Sequence, residues 1–160
     1  MIVRYLEDLM VFSGWIRELI ELHFNGVLGI KIEMHVKDVS GRECDLIICR
    51  DGTSILCELK SLSLSEVVKQ LTERQGFTYK YAVLNLHVHT IIDALLKNEV
   101  LLAKIIADRI GVVSGLDDIV ILRSKARKPY CYSQVKTLLK AMQVQGAEID
   151  DVVSRGVCNC

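Results

Sequence analysis

The sequence predicts an α/β domain in which helices flank a mixed β-sheet with an antiparallel hairpin at its centre. Three observations predict this fold class. Apolar runs of strand length alternate along the chain with segments whose apolar residues recur at helical spacing. Two of the strand-like runs are joined by Asp51-Gly52, a dipeptide typical of tight hairpin turns. The composition, with 51% apolar and 25% charged residues, is that of a globular protein.

The length of 160 residues fits one domain, which we place at 1–145, followed by a polar tail at 146–160. No apolar run approaches the roughly 18 residues of a membrane span. The N-terminus lacks the features of a signal peptide, so we expect a cytoplasmic protein without membrane contact. The 20 basic and 20 acidic residues give zero net charge. This neutrality counts against tight, indiscriminate nucleic-acid binding, but it is compatible with a local basic surface.

The first half of the chain predicts a helix followed by three strands. Residues 2 to about 23 carry apolar side chains at three- and four-residue steps, which indicates an amphipathic helix. Residues 30–36 alternate between apolar and polar, which is typical of a half-exposed strand near a sheet edge. The runs 44–49 and 54–60 are apolar on both faces and therefore predict central strands.

The second half continues with alternating helices and strands. Ser63 and Glu66 form a capping box, which opens a helix that we extend to about Gln75. The remaining elements are a strand at 79–86, a helical region from about Thr90 to Ile110 with a break near Asn98, a short strand at 119–122 and a helix at 133–144.

The hairpin turn fixes which residues face each other across the two central strands. If the Asp-Gly dipeptide forms a two-residue loop, Asp45 lies directly opposite Glu58. By the same count, Glu43 lies opposite Lys60. Side chains alternate along a strand, so all four point to one face, and opposed Cβ atoms lie roughly 5 Å apart. The sequence therefore places two carboxylates and an ammonium together at one end of apolar strands.

A divalent cation would stabilise this pair of carboxylates, since like charges repel and burial disfavours the ionised form. Oxygen ligands of this kind suit Mg²⁺ or Mn²⁺. Such an ion can polarise a phosphoryl oxygen and help to ionise an attacking water, while a lysine beside it stabilises charge on phosphorus. The plainer alternative is a surface salt bridge between Lys60 and either Glu43 or Glu58.

Asp45 in ECDLIIC and Glu58-Leu59-Lys60 in ILCELKS resemble the motif of the PD-(D/E)XK nuclease superfamily. That superfamily includes restriction endonucleases, archaeal Holliday junction resolvases and RecB-like nuclease domains. The resemblance covers roughly residues 1–86. It implies a restriction endonuclease-like αβββαβ core, in which Asp45 and Glu58 bind Mg²⁺ or Mn²⁺, the Leu59 carbonyl completes the ligand set and Lys60 is catalytic. It also implies a homodimer that acts on DNA.

The sequence departs from the family pattern at two places. Cys44 stands where a proline precedes the first acid in the motif, and Ile16 stands where the resolvases have a glutamate. Glu18 or Glu21 could supply this missing acid, although both lie off the apolar stripe of the first helix.

The second predicted helix offers a further candidate. Gln75 and Tyr79 match the Q-x-x-x-Y motif of RecB-like nucleases, and this resemblance implies that Gln75 takes part in catalysis. The alternative is a glutamine that caps the end of the helix.

Six cysteines are present, and Cys44, Cys49 and Cys57 fall within the two central strands. We expect the cysteines to be buried, reduced thiols, because the chain lacks the C-x₂-C pairs of zinc and iron–sulfur sites. The closest pair, Cys158 and Cys160, is a weak signal for a metal site.

Arg123, Lys125, Arg127 and Lys128 form a dense basic cluster, the natural place for phosphate contacts to DNA in a neutral chain. A solvated loop is the alternative. We therefore expect a Mg²⁺- or Mn²⁺-dependent endonuclease that acts on DNA, including branched, single-stranded, repair or recombination intermediates. A non-catalytic nucleic-acid-binding or assembly module that keeps the fold is the competing hypothesis. The sequence does not separate a DNase from an RNase.

Overall fold

The computed structural model describes residues 2–5, 14–24, 26, 28–60, 63–127 and 130–145 of the chain. These residues form a seven-stranded sheet with helices packed against it, so the predicted α/β class is confirmed. The strands are β1 (Ile2–Tyr5), β2 (Lys31–Lys37), β3 (Glu43–Arg50), β4 (Thr53–Lys60), β5 (Tyr79–Leu84), β6 (Ile110–Ser114) and β7 (Ile119–Leu122). The helices are α1 (Gly14–His23), α2 (Leu64–Glu73), α3 (Val88–Lys97), α4 (Glu99–Ala107) and α5 (Tyr132–Gln145).

The sheet is mixed and its strands lie in chain order. β1 to β4 form an antiparallel meander, β5 and β6 join in parallel, and β7 returns antiparallel to β6. Parallel neighbours need a crossover connection, which α2 supplies between β4 and β5. From α1 to β5 the order is therefore helix, three strands, helix, strand, as expected.

The hairpin of β3 and β4 has the predicted register. Asp51 and Gly52 both have positive φ, 45° and 81°, as a two-residue hairpin loop with a right-handed strand twist requires. The ladder pairs Arg50 with Thr53 and continues to Leu46 opposite Cys57. These strands are third and fourth of the seven, which explains why both of their faces are apolar.

The two faces of the sheet bury separate cores. On one face, residues of α2 to α5 pack around strand residues such as Leu56 and Ala82. On the other face, α1 contributes Trp15 and Leu19, which pack around strand residues such as Cys57 and Tyr81. Consecutive strand residues thus point to opposite cores, and Glu58 shares the face of Leu56.

The predicted helix over 2–23 is wrong at its start, because residues 2–5 form β1. This strand pairs antiparallel with β2, with Ile2 opposite Met34. Helical spacing is a local signal and takes no account of a partner strand elsewhere in the chain. Residues 6–13 lie outside the described part of the chain, as does the predicted tail at 146–160.

The predicted helical region to Ile110 also ends too late. A break occurs at Asn98, as expected, and its side chain caps α4 by accepting a hydrogen bond from the Leu101 N–H. The helix then stops at Ala107, and Arg109 turns the chain with φ 58°. Ile110 begins β6, a fully buried strand that has no alternation to distinguish it from a buried helix.

Cys44, Cys49 and Cys57 are free thiols, and Cys44 and Cys57 are buried, as expected. Cys131 is disulfide-bonded, so the expectation of a reduced thiol is wrong there. Pairing depends on how closely two chain segments approach, which spacing in the sequence does not reveal. Within the described ranges, no helix is long and apolar enough to cross a membrane.

Candidate active site

Asp45 and Glu58 lie together at the open end of the hairpin. The paired ladder ends at Leu46 and Cys57, and these two acids are the next residues along each strand. The Leu59 N–H donates to Oδ2 of Asp45 over 2.8 Å, which holds the Asp45 side chain against β4. The register therefore brings the two predicted carboxyl groups into contact.

The backbone of β2 is irregular at the position that faces Asp45. The β2–β3 ladder pairs Met34 with Leu46 and Val36 with Cys44, but it omits the intervening pair of His35 and Asp45. His35 has φ 55°, a left-handed conformation that is strained for any residue except glycine. Strain of this kind is often concentrated at functional sites. The clean alternation of the β2 sequence gave no sign of it.

Glu58 is the buried member of the carboxylate pair, with 2% of its surface exposed. Burial, followed by a hydrogen bond with Asp45 and the negative charge of Asp45, raises its pKa to about 8. The positive charges of Arg74 and Lys60 act in the opposite direction. Its Oε1 atom is buried and has no hydrogen-bond partner. The pair thus favours one shared proton at neutral pH, or a cation in its place.

Arg74 is a site residue that the sequence predictions missed. It caps the C-terminus of α2 and is only 8% exposed. Its Nη2 atom lies 3.3 Å from Oε1 of Glu58, without the alignment of a hydrogen bond, and donates to the Glu43 carbonyl over 2.6 Å. Its Nη1 atom donates to Oδ2 of Asp38 over 2.9 Å. One guanidinium therefore ties the end of α2 to the β2–β3 turn and to the carboxylate pair.

The Asp38 end of this contact is strongly anionic. A hydrogen bond from the Ser40 hydroxyl is the largest cause that lowers the Asp38 pKa, to about 2, and Arg74 adds to it. A signal for Arg74 was present in the sequence, because Arg74 follows Leu71 by three residues and so continues the apolar stripe of α2. A charged residue on such a stripe indicates a buried ionic partner.

Lys60 does not form the salt bridge that was the plainer alternative. Among the described residues it has no ion pair within 4 Å, although its charge acts on Glu58. Glu43 instead contacts His35, with 3.1 Å between Oε1 and Nδ1. Leu59 is 42% exposed, so its side chain takes no part in the core. Lys60 is thus close to the carboxylate pair without being bonded to it.

Gln75 lies beyond the end of α2, since the helix stops at Glu73 and Gly76 turns the chain with φ 87°. Arg74, not Gln75, caps the helix. Gln75 is exposed and lines a polar pocket that also includes Lys80. Tyr79 is the first residue of β5 and stacks on His23. The Q-x-x-x-Y residues therefore do not share a helix, and no hydrogen bond within the described part of the chain joins Gln75 to Asp45 or Glu58.

The first-helix candidates are placed away from the carboxylate pair. Glu18 and Glu21 are on α1, whose apolar residues pack on the face that holds Cys57 and Tyr81. Glu58 and its Arg74 partner lie on the opposite face. Neither glutamate is brought to the site.

The predicted basic cluster follows β7, at an edge of the sheet. Arg123 is half-buried, and its charge adds to burial in lowering the pKa of His23 to about 4. The Lys125 ammonium lies 5.0 Å from the centroid of the Tyr130 ring, and Arg127 is exposed. Lys128 lies outside the described residues.

The sheet register separates this cluster from the carboxylate pair. Glu58 is level with Ala82, Val112 and Leu122 on the next three strands. A spacing of about 4.8 Å per strand puts the start of the cluster roughly 14 Å from β4. Direct contact between the two groups is therefore not expected.

Asp45 and Glu58 are suitable donors for a hard divalent cation. No group of three or more His, Cys, Asp or Glu side chains within the described ranges is placed to hold a metal. Magnesium and manganese, however, are commonly held by one or two carboxylates together with waters. The buried Oε1 atom of Glu58, which lacks a hydrogen-bond donor, is an unfilled acceptor of this type. The residues present fit such an ion, with Arg74 as its competitor for Glu58.

Comparisons of the chain with protein-family models, curated proteins and solved structures found no match. Only the residues and geometry of the site therefore bear on what the protein does.

Proposed function

We propose that the protein is a Mg²⁺- or Mn²⁺-dependent nuclease of the PD-(D/E)XK type, which hydrolyses phosphodiester bonds in DNA. The observation that carries this proposal is the contact between Asp45 and the buried Glu58, with a Glu58 pKa of about 8 and an acceptor oxygen left without a donor. Two carboxyl groups kept together at such cost favour a site that a cation completes.

The arrangement of secondary structure supports the same proposal. The segment from α1 to β5 has the αβββαβ order of a restriction endonuclease-like core, with three antiparallel strands and a fourth strand parallel to the third. The two acids and Lys60 lie at one end of the central hairpin, as the motif requires. Fold alone does not establish activity, so the residues of the site carry the greater weight.

In this proposal each residue has a defined task. Asp45 and Glu58 hold the ion, and the Leu59 N–H keeps Asp45 oriented toward β4. The bound ion would supply Lewis acidity to the phosphoryl oxygen and to the attacking water. Lys60 is two residues beyond Glu58 on β4, and its ammonium stabilises the negative charge that develops on the phosphoryl group. The Leu59 carbonyl is the further ligand that the motif implies.

A second candidate function rests on Arg74. Its guanidinium already supplies a positive charge 3.3 Å from Glu58, so the carboxylate pair is partly neutralised without a metal. A binding or assembly module that kept the fold would have an arginine of this kind as a permanent counter-ion. In that case Arg74 is structural, and cleavage is absent.

Incubation with supercoiled, linear, single-stranded and four-way-junction DNA separates the two candidates. The nuclease proposal predicts cleavage of at least one substrate with Mg²⁺ or Mn²⁺, no cleavage with EDTA, and none by Asp45→Asn purified in the same way. Cleavage that persists unchanged in Asp45→Asn would come from another protein or another site. Absence of cleavage on every substrate would favour the binding module. RNA substrates in the same assay decide between DNase and RNase.

A further inference from the structure

A polar pocket of about 320 Å³ lies beside the carboxylate pair. It forms where the C-terminal ends of α2 and α4 meet the start of β5 and the segment that follows β7. Its volume is at the lower end of the range for small-molecule sites in proteins. None of the tasks assigned to Asp45, Glu58 and Lys60 uses it.

The pocket is basic although the protein is neutral. Arg74, Lys80, Arg109 and Lys125 line it, while Asp108 is the single acidic residue among its described lining residues. The Arg74 guanidinium is directed to Glu58 and Asp38, which leaves three cations for the pocket. Arg109 has no ion pair with a described residue, and Lys125 contacts the Tyr130 ring instead of an acid. A neutral chain thus collects unmatched positive charge at one cavity.

Lys80 holds this charge in a fixed place. Its Nζ donates to the carbonyls of Leu71 (2.9 Å) and Arg74 (3.3 Å) at the end of α2, which leaves one of its three N–H donors. Burial lowers its pKa most, and the positive charge of Arg109 lowers it further against the opposing effect of Asp108. Like charges that repel within a cavity favour an anionic ligand there.

The lining also suits the rest of a nucleotide. Guanidinium and ammonium groups are strong donors to phosphate oxygens. Phe77, a partly buried aromatic residue, is in the same wall, and aromatic rings stack with nucleobases without regard to sequence. We propose that this pocket binds a phosphate group carried by a nucleotide, with Arg109 and Lys125 as its donors.

The position of the pocket points to a nucleic-acid strand as the source of that phosphate. Lys80 pairs with Leu56, two residues before Glu58 on β4 and on the same face. Arg74 joins the two sites, because its carbonyl accepts from Lys80 while its side chain reaches Glu58. A strand with one phosphate in the pocket would bring a neighbouring phosphate toward the carboxylate pair. This choice of source rests on the proposed nuclease function.

Binding of a fluorescein-labelled oligothymidylate, measured by anisotropy in EDTA over a salt series, tests the proposal. The pocket variant is Arg109→Gln/Lys125→Gln. The charge-matched control is Lys69→Gln/Lys97→Gln, which changes two exposed lysines outside the pocket. Each lost phosphate contact lowers the salt slope by about 0.7 for a single strand, so the pocket variant should lose about 1.4 and bind at least tenfold more weakly at low salt. Circular dichroism checks that both variants are folded.

Free phosphate and thymidine monophosphate distinguish the possible sources. If either ligand raises the Tm of the wild type but not of the pocket variant, while oligonucleotide binding is equal in both, the pocket binds a phosphate but not the strand. Equal behaviour of the pocket and control variants with every probe would overturn the proposal. Asp45→Asn should bind the oligonucleotide normally in EDTA, so loss of cleavage there and loss of binding in the pocket variant report on separate claims.

Discussion

The Arg74 guanidinium lies 3.3 Å from the Glu58 carboxyl, in a place where neither group is more than 8% exposed. A buried charge costs several kcal/mol unless it is paired, so each of these groups depends on the other in the metal-free protein. The same relationship makes Arg74 a competitor for any cation that binds Glu58. Stability and metal binding are therefore coupled at this contact.

Arg74→Met should destabilise the metal-free protein by about 3 kcal/mol, because Asp38 and Glu58 both lose their cation. Mn²⁺ should then stabilise the variant more than it stabilises the wild type, since the ion no longer competes with the guanidinium. Urea denaturation with and without Mn²⁺ measures both effects.

Arg42→Met is the matched control for that experiment. Arg42 pairs with Glu73 over 3.1 Å at the surface, where both side chains are about half exposed. Loss of such a pair costs at most about 1 kcal/mol. If Arg74→Met were no more destabilising than Arg42→Met, the buried contact would have no energetic role.

The metal-free protein should lose stability as pH rises from about 4.5 to about 8. The pKa of Glu58 is raised from 4.5 to about 8 by burial and by Asp45, so the folded state retains a proton that the unfolded state has released. Stability falls with pH wherever the folded state binds more protons, and here the loss is on the order of a few kcal/mol. The effect is complete below pH 4.5 and exhausted above pH 8.

Glu58→Gln should flatten this part of the profile, as measured by Tm in EDTA between pH 4.5 and 9. Asp38 acts in a different window, because its pKa is lowered to about 2 and its contribution is lost only as pH falls below about 4. An unchanged slope in Glu58→Gln would show that another group causes the dependence.

Lys60→Ala should leave Mn²⁺ binding intact and reduce cleavage by about 100-fold or more. The ammonium is not a ligand in this site, and its charge acts mainly in the transition state. Single-turnover cleavage measures the rate, and Lys97→Ala, at an exposed position on α3, is the control. Equal residual activity in Lys60→Ala and the wild type would assign that activity to a contaminant or to a different site.

Local signals in the sequence were sufficient for the hairpin and for the carboxylate pair. The Asp-Gly loop determines register by simple counting, and the alternation of side chains then places Asp45 against Glu58. The capping box at Ser63 and the break at Asn98 were also predicted, since each depends on residues within one helical turn.

The features that were missed depend on contacts between distant parts of the chain. β1 exists only through its pairing with β2, and β6 is a short apolar run whose Gly111 packs against the Tyr81 ring. A Cβ atom at Gly111 would lie 2.2 Å from that ring, so no side chain can replace it without movement. Arg74 belongs to the same class, because its partners are on β4 and in the β2–β3 turn.

Isothermal titration of the metal-free protein with Mn²⁺ tests the central claim most directly, since it reports on the Asp45–Glu58 pair without requiring a substrate. The wild type should bind the ion saturably, and Asp45→Asn, which nearly keeps the shape but removes a ligand charge, should not. Glu43→Gln, an exposed neighbour on β3 that contacts His35, should bind Mn²⁺ as the wild type does. Absence of binding by the wild type at millimolar Mn²⁺, or equal binding by Asp45→Asn, would contradict a metal site at this pair.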